Sequence, residues 1–441
     1  MAQKVKFACN TCGYESQKWL GKCPECGNWN TFEEVAVETK KTSYLADDFT
    51  NSVHPQNLTD VESVKLSRLS TGNEEFDRVL GGSGGVMGIV PGSVTLLSGD
   101  PGVGKSTLLL QIALALCQNG KKILYVSGEE SESQVKLRAE RLFSGTKGHN
   151  NLFIFSTTNI DKAVEEAKGY DLVIADSIQT MVSANFPGFP GSIPQIRYAT
   201  SRLVNLAKKK KVPVFLVGHV TKEGIVAGPM ILSHMVDTVL FLEGEKVTGV
   251  RILRSFKNRF GDTSEVGIFL MDENGLCPIQ NASEFFSAKS DQKLPGACIT
   301  VVMEGTRPLL VEVQALVVPS NLTFSRRVAT GIAEKRLELL LAVLEKTCKI
   351  PIARMDVFVN VVGGLKITEP ASDLAVCLAI LSSFKNRPLR LIVAIAEVGL
   401  LGELKTVVNL DKRIKEAKKF GATKILSVQT NKYLSDVAKA I

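Results

Sequence analysis

The run Gly99-Asp100-Pro101-Gly102-Val103-Gly104-Lys105-Ser106-Thr107 fits the pattern G-x4-G-K-[ST]. Glycines at this spacing let backbone N–H groups approach phosphate oxygens, and a helix starting behind the loop adds a favourable dipole. Lys105 is then placed to reach the β- and γ-phosphates of ATP, and Ser106 to ligate Mg²⁺. Asp176 ends the apolar run Leu172–Ala175. An acid at the carboxyl end of a parallel strand lies where open α/β sheets bind ligands, and it can hold Mg²⁺ directly or through water. Hydrolysis also needs a base for the attacking water. Glu129 and Glu130 both follow the apolar run Ile123–Val126, and Ser131-x-x-Gln134 reads as a capping box for the next helix. That places Glu129 on the strand side of the cap, facing the site, and leaves Glu130 as first-turn charge. Glu129 is therefore the expected base. His219 closes the run Val214–Gly218, and Lys222 follows shortly after. Polar groups there would sense the γ-phosphate, and a hydrogen-bonded structural role for His219 fits the pattern equally well.

A second constellation lies at the start of the chain. Cys9-x2-Cys12 and Cys23-x2-Cys26 are separated by ten residues. Each pair can place two thiolates on one cation, and two such knuckles complete a tetrahedron around Zn²⁺. Gly13 and Gly27 each follow a second cysteine, where tight knuckle turns favour glycine. Four sulfur ligands leave no position for a reacting water, so the site is expected to be structural and to supply the folding energy of a segment with almost no core. Lys18, Trp19, Lys22 and Trp29 either face nucleic acid or, for the tryptophans, pack on the knuckles. The other cysteines (Cys117, Cys277, Cys298, Cys348 and Cys377) are scattered among apolar residues and read as small core residues of a reducing compartment.

These groups need a scaffold. The 441 residues allow roughly three domains at about 150 residues each. With 44% hydrophobic and 22% charged residues the chain has an ordinary globular balance. The longest apolar runs fall far short of a membrane span, and Met1 to Phe7 contains no apolar run of signal-peptide length, so the expectation is a cytoplasmic protein without a membrane partner. The net charge of +8 mildly favours an anionic partner. Short apolar runs at Val94–Leu97, Ile123–Val126, Leu172–Ala175 and Val214–Val217 alternate with helical patterns such as Leu108–Cys117 and Val135–Phe143. The alternation predicts an α/β domain with a mostly parallel sheet covered by helices. Residues 236–271 read as consecutive strands turning at Gly261-Asp262-Thr263. Lys208–Lys211 ends a helix as a solvated cap complementing the dipole. The expected organisation is a ribbon over 1–34, a polar linker over 35–62, an ATPase domain over 63–285, and an α+β domain over 286–441 that includes a helix at Ala333–Glu345.

With these residues in view, nearly the whole chain resembles the bacterial RadA (Sms) family of RecA-related DNA-repair ATPases. The resemblance runs through Trp19-x-Gly21-Lys22-Cys23-Pro24, Leu69-Ser70-Thr71-Gly72, the phosphate loop, Ser127-Gly128-Glu129-Glu130-Ser131, Asp176-Ser177-Ile178-Gln179-Thr180 and Gly218-His219-Val220-Thr221-Lys222. Its most specific piece is Lys257-Asn258-Arg259-Phe260-Gly261. By resemblance, Lys257 and Arg259 act at the interface between subunits, reaching the neighbour's nucleotide or bound DNA, and Glu129 is the water-activating glutamate. The connection Leu80–Val90 is longer than is usual in that family.

The C-terminal block resembles the Lon-type protease fold that the family carries, through Glu312–Leu316, Arg326-Arg327, Asp356–Asn360 and Gly399–Glu403; Gly331–Arg336 departs from the pattern. A Ser–Lys dyad needs a serine nucleophile and a lysine to take its proton. Ala371 stands at the nucleophile position and Asp411 at the lysine position, with Ser372 and Lys412 each displaced, which implies a non-proteolytic assembly domain. Taken together, the resemblance implies a DNA-dependent ATPase, a hexameric ring acting as a motor or helicase on single-stranded or branched DNA, with a recombinase filament as partner. The alternative is a regulatory ATPase switch acting on protein partners through the ribbon.

Overall fold

The computed structural model describes residues 5–9, 14–25, 27–36, 57, 67–83, 86–142, 149–218, 232–244, 249–279, 294–321 and 324–439. The chain divides into two compact units. One comprises Met1–Glu243, Leu253–Thr263 and Asp272–Leu276, the other Gly244–Ile252, Ser264–Met271 and Cys277–Ile441.

The ribbon is a small antiparallel sheet of β1 (Val5–Cys9), β2 (Glu15–Ser16) and β3 (Phe32–Ala36) in the order β2-β1-β3. Among the described residues its core consists of Cys9, Cys23 and Phe32, with Phe7 and Leu20 packed against them. So few apolar groups cannot offset the chain entropy of folding.

Helix α1 (Glu74–Leu80) begins where the Asn73 side chain accepts from Phe76 N at 3.1 Å, and ends at Gly81, whose φ of 78° closes the helix. A short hairpin follows, β4 (Gly82–Ser83) with β5 (Val86–Met87).

The main sheet is built from β6 (Val94–Gly99), β7 (Ile123–Ser127), β8 (Leu152–Ser156), β9 (Leu172–Asp176), β10 (Val214–Val217) and β11 (Thr238–Gly244), in the order β11-β6-β10-β9-β7-β8 with parallel pairing. Every residue of β6, β7, β9 and β10 is buried, as expected of strands covered on both faces. The covering helices are α2 (Lys105–Gln118), α3 (Glu132–Leu142), α4 (Ile160–Glu166) and α5 (Ile193–Lys210). Strands β12 (Val250–Asn258), β13 (Val266–Asp272) and β14 (Gly275–Pro278) continue the order beyond β11. The alternation expected from the apolar runs is thus present.

The second unit is α+β. Strands β15 (Ala297–Glu304) and β16 (Arg307–Pro319) form a hairpin that turns at Gly305. With β17 (Arg327–Thr330), β18 (Met355–Val361), β19 (Ile392–Ile395) and β22 (Lys424–Ser427) they make a sheet of order β17-β18-β16-β15-β19-β22. A two-stranded piece pairs β20 (Glu397–Val398) with β21 (Leu404–Lys405). Alternation along β15 separates two cores. Cys298 joins helices Glu334–Cys348 and Asp373–Lys385, while Ile299 and Val301 join helix Leu410–Phe420. The helix expected at Ala333–Glu345 runs from Glu334 to Cys348.

Burial also accounts for scattered cysteines. Cys117, Cys298 and Cys377 are buried, and burial pushes the Cys117 thiol up to about 11, so it is a poor nucleophile. Among the described residues, no helix is long and apolar enough to cross a membrane.

Candidate nucleotide site

The phosphate loop leaves β6 at Gly99 and enters α2 at Lys105. Gly99, Gly102 and Gly104 all have positive φ, at 151°, 75° and 110°. A Cβ on Gly99 would lie 2.3 Å from Leu242 O, so only glycine fits there. No side chain caps α2, whose first-turn amides therefore point into the loop. Lys105 is buried, and its Nζ donates to Gly99 O at 2.9 Å and Asp100 O at 3.0 Å. Burial lowers the ammonium's pKa from its ordinary value, while the charges of Asp176, Asp100 and Glu129 oppose that shift.

Asp176 is the last residue of β9 and is buried. Tyr125 Oη donates to its Oδ2 at 2.5 Å. Burial first, and the adjacent Asp176 charge second, hold the Tyr125 phenol well above its ordinary pKa, so it remains a donor.

The two adjacent glutamates part company. Glu129 Oε1 accepts from Ser177 Oγ at 2.5 Å, next in sequence to Asp176. Glu130 turns to α3, where its carboxylate pairs with Arg138, and its carbonyl accepts from Ser127 Oγ at 2.7 Å. The Gln134 side chain accepts from Ser131 N at 2.9 Å, the reaching-back arm of the expected capping box. The separation of Glu129 from Glu130 therefore has the local cause suggested by the sequence pattern.

The stretch Lys257–Gly261 ends β12. Lys257 Nζ donates to Ser233 O at 2.7 Å and Val236 O at 2.8 Å. Burial lowers its pKa, and so does the neighbouring Arg259 charge. Asn258 Nδ2 donates to Leu80 O at 3.0 Å, and Phe260 O accepts from Arg68 Nη2. Gly261 lies against Gly81, where an added Cβ would come within 3.1 Å of the Gly81 Cα. Arg259 differs: its side chain is 60% exposed, and its Nη1 lies 3.5 Å from Asp237 Oδ1. Asp237 also takes Lys208 Nζ at 2.6 Å and Val94 N at 3.0 Å. Lys208, read from the sequence as a solvated cap, is thus also tied to the sheet.

Arg68 gathers the long connection after α1. Its Nη1 donates to Gly81 O at 2.7 Å and Gly88 O at 3.0 Å, while Nη2 holds Phe260 O. Neither Arg68 nor Tyr125, Ser177 and Asp237 emerged from the sequence as site residues. A polar-tipped ring inside the aliphatic run Ile123–Val126 was the available signal for Tyr125.

His219, Lys222, Cys12 and Cys26 lie outside the described residues. Cys9 and Cys23 are buried in one core cluster, with Cys9 Sγ donating to Thr31 Oγ1 at 3.1 Å. Trp19 and Trp29 are exposed, at 51% and 69%, and the Lys22 ammonium sits 5.5 Å from the Trp29 ring centroid. The Trp19 indole Nε1 donates to Phe32 O at 3.2 Å, which ties this half-exposed ring to the ribbon.

In the second unit, Ala371 and Ser372 are buried, and Ser372 Oγ donates to Glu369 O at 3.4 Å. Glu369 takes both ends of the Arg413 guanidinium, at 2.7 and 2.5 Å, and Arg413 is 1% exposed. Asp373 takes Arg336 and Val398 N. Asp411 and Lys412 are exposed on the helix Leu410–Phe420. The acids on either side of the Pro370-Ala371-Ser372 turn are thus committed to arginines, and the turn presents a buried hydroxyl.

Two families match parts of the chain: one described as an AAA domain over residues 83–224, and one described as a rubredoxin metal binding domain over residues 7–34. Over almost its full length the chain is similar to proteins named DNA repair protein RadA. That of Bacillus subtilis (strain 168) is 46% identical over 438 residues, covering 97% of this chain and 93% of the relative. That of Campylobacter jejuni is 47% identical over 419 residues, covering 94% and 92%. That of Listeria monocytogenes is 45% identical over 435 residues, covering 97% and 92%.

Proposed function

Because the chain belongs to the RadA family of DNA repair proteins, we propose that it is a DNA-dependent ATPase, working as a ring-shaped motor on single-stranded or branched DNA during recombinational repair. The observation that carries this reading is the glycine loop between β6 and α2, with buried Lys105 at its end and with Asp176 and the Ser177-bonded Glu129 at the ends of the parallel strands β9 and β7.

In this reading Lys105 exchanges its loop carbonyls for β- and γ-phosphate oxygens and neutralises their charge. Ser106 and Asp176 supply the oxygen donors that suit Mg²⁺, and the ion would offset charge on the phosphates when bound. Glu129, steadied by Ser177, takes the proton of the attacking water. Arg259 is the exposed cation suited to act on a neighbour's γ-phosphate, where a positive charge stabilises the transition state. Lys257 supports it by fixing the segment around Ser233 and Val236. His219 and Lys222 retain the sensor role proposed from the sequence.

Cys9, Cys12, Cys23 and Cys26 would hold a structural Zn²⁺, and the burial of Cys9 and Cys23 in one cluster suits a thiolate centre. The domain plan of 1–34, 35–62, 63–285 and 286–441 is part of this proposal, with Gly244–Ile252 and Ser264–Met271 belonging to the compact unit of the last block. The last block is a Lon-like assembly domain without peptidase activity, supported by Ala371 and by the Glu369–Arg413 pair. The working state is a homo-oligomeric ring, a hexamer by family resemblance, acting beside a recombinase filament in the cytoplasm.

The test is ATP turnover with and without single-stranded DNA, together with DNA binding across a salt series. A motor of this kind shows DNA-stimulated turnover and a log affinity that falls steeply with log salt. Turnover indifferent to DNA, with no binding, would favour a switch acting on proteins instead.

A further inference from the structure

Tyr125 stands in β7 between Leu124 and Val126, and all three are 2% exposed or less. A phenol placed among aliphatic side chains costs free energy unless its hydroxyl finds a partner. The pairing of β7 with β9 supplies one: Tyr125 lies opposite Ile174 and Ser127 opposite Asp176, which brings the ring tip to the acid at the strand end. Tyr125 Oη donates to Asp176 Oδ2 at 2.5 Å. We propose that Tyr125 is a positioning residue that fixes the Asp176 carboxylate in one orientation by engaging its Oδ2, and so biases the nucleotide site toward Mg²⁺ over Ca²⁺.

The physical reason is coordination geometry. Mg²⁺ demands a compact octahedron and takes carboxylates through single oxygens, often with water between. Ca²⁺ accepts six to eight oxygens and readily takes both oxygens of one carboxylate. A carboxylate free to turn can serve either ion. One whose Oδ2 is already occupied by a phenol serves the smaller ion better. Such outer hydrogen bonds orient metal-binding groups and typically change metal affinity about 10–100-fold when removed.

The proposal rests on the assignment of Asp176 to the metal, and the experiment separates the two. Binding of a fluorescent, non-hydrolysable ATP analogue to the full chain is titrated with Mg²⁺ and, separately, with Ca²⁺. Wild type, Tyr125→Phe, Asp176→Asn and the double variant are compared, each also measured without metal. The expected result for Tyr125→Phe is a Mg²⁺ midpoint raised about tenfold, a Ca²⁺ midpoint that rises less or falls, and unchanged metal-free binding. The double variant should be no worse than Asp176→Asn, because the tyrosine acts through the aspartate. If Asp176→Asn shifts the Mg²⁺ midpoint and Tyr125→Phe leaves it within about twofold, the tyrosine proposal fails and the metal assignment stands. If Asp176→Asn shifts nothing, both fail. An additive loss in the double variant, or an equal loss without metal, would show a packing role and overturn the proposal.

Discussion

Ser177 Oγ and Glu129 Oε1 are joined by a 2.5 Å hydrogen bond across two parallel strands, so the expected base is steadied by the residue after the expected metal-binding aspartate. Glu129→Gln should lower kcat by about 10²-fold or more, because general-base catalysis contributes about 10²–10⁴-fold. Ser177→Ala should lower kcat several-fold with KM nearly unchanged, since it loosens rather than removes the base. Glu130→Ala should leave kcat close to wild type and cost up to about 1 kcal/mol of stability through its partly exposed Arg138 pair. Steady-state ATP turnover of the three variants distinguishes these roles. Equal losses for Glu129 and Glu130 variants would remove the assignment.

Lys105 makes a prediction in two directions. Lys105→Met should abolish hydrolysis. The same variant should melt a few degrees higher near neutral pH, because burial lowers the folded-state pKa of Lys105 below its unfolded value. A lysine shifted this way carries its penalty in full below the lowered pKa, and the penalty fades as pH rises toward the ordinary lysine value. The melting advantage of Lys105→Met should therefore shrink in alkaline buffer. A variant less stable than wild type at pH 7 would contradict this.

Arg259 and Lys257 should separate experimentally. Arg259→Ala is expected to lose DNA-stimulated turnover by about 10³-fold, the lower end of what cations supplied from outside a site achieve, with nucleotide affinity of the isolated protomer unchanged. Mixing Arg259→Ala with Lys105→Ala subunits should restore part of the activity, because some interfaces then combine an intact loop with an intact arginine. Lys257→Ala should also lower turnover, with an added loss of thermal stability, since two carbonyls lose their donor. Absence of recovery in the mixture would place Arg259 outside a shared site.

Among the described residues Arg413 is the largest fully buried side chain, and its carboxylate partner is Glu369. Removing one member strands the other. Arg413→Met should destabilise the second unit by about 3 kcal/mol, and adding Glu369→Gln should recover much of that loss. Urea unfolding followed by circular dichroism measures both. Neither variant should gain or lose peptidase activity toward unfolded substrates.

Cys23→Ser should release the bound metal, measured as zinc per chain, and unfold the ribbon while the melting of the nucleotide core stays put. Retention of one zinc per chain would point to a different ligand set.

Much of this was legible in the sequence, for an identifiable reason. The phosphate loop is contiguous, so its glycines, Lys105 and Ser106 announce themselves without knowledge of the fold. Asp176 and Glu129 needed one further step, the recognition that each follows an apolar strand. The capping box after Glu130 was the local pattern that favoured Glu129 as the inward-facing glutamate. What escaped was always a pair distant in sequence. Tyr125 with Asp176, Ser177 with Glu129, and Glu369 with Arg413 meet only through strand register or tertiary packing, which no local pattern encodes. Lys257 shows the opposite failing. Its motif marked it as important, but the sequence could not show that its ammonium is held by carbonyls of its own chain.

The grip of Arg68 on Gly81 and Gly88 has a consequence for how this protein can vary. Both ends of the excursion between those glycines are moored to one guanidinium, and Asn258 fastens the near end again through Leu80. Residues added between the moorings must loop outward, where Val86 and Met87 already stand in solvent. Length can therefore drift at this point over generations without disturbing what lies beneath it, whereas replacing Arg68 would release both ends at once.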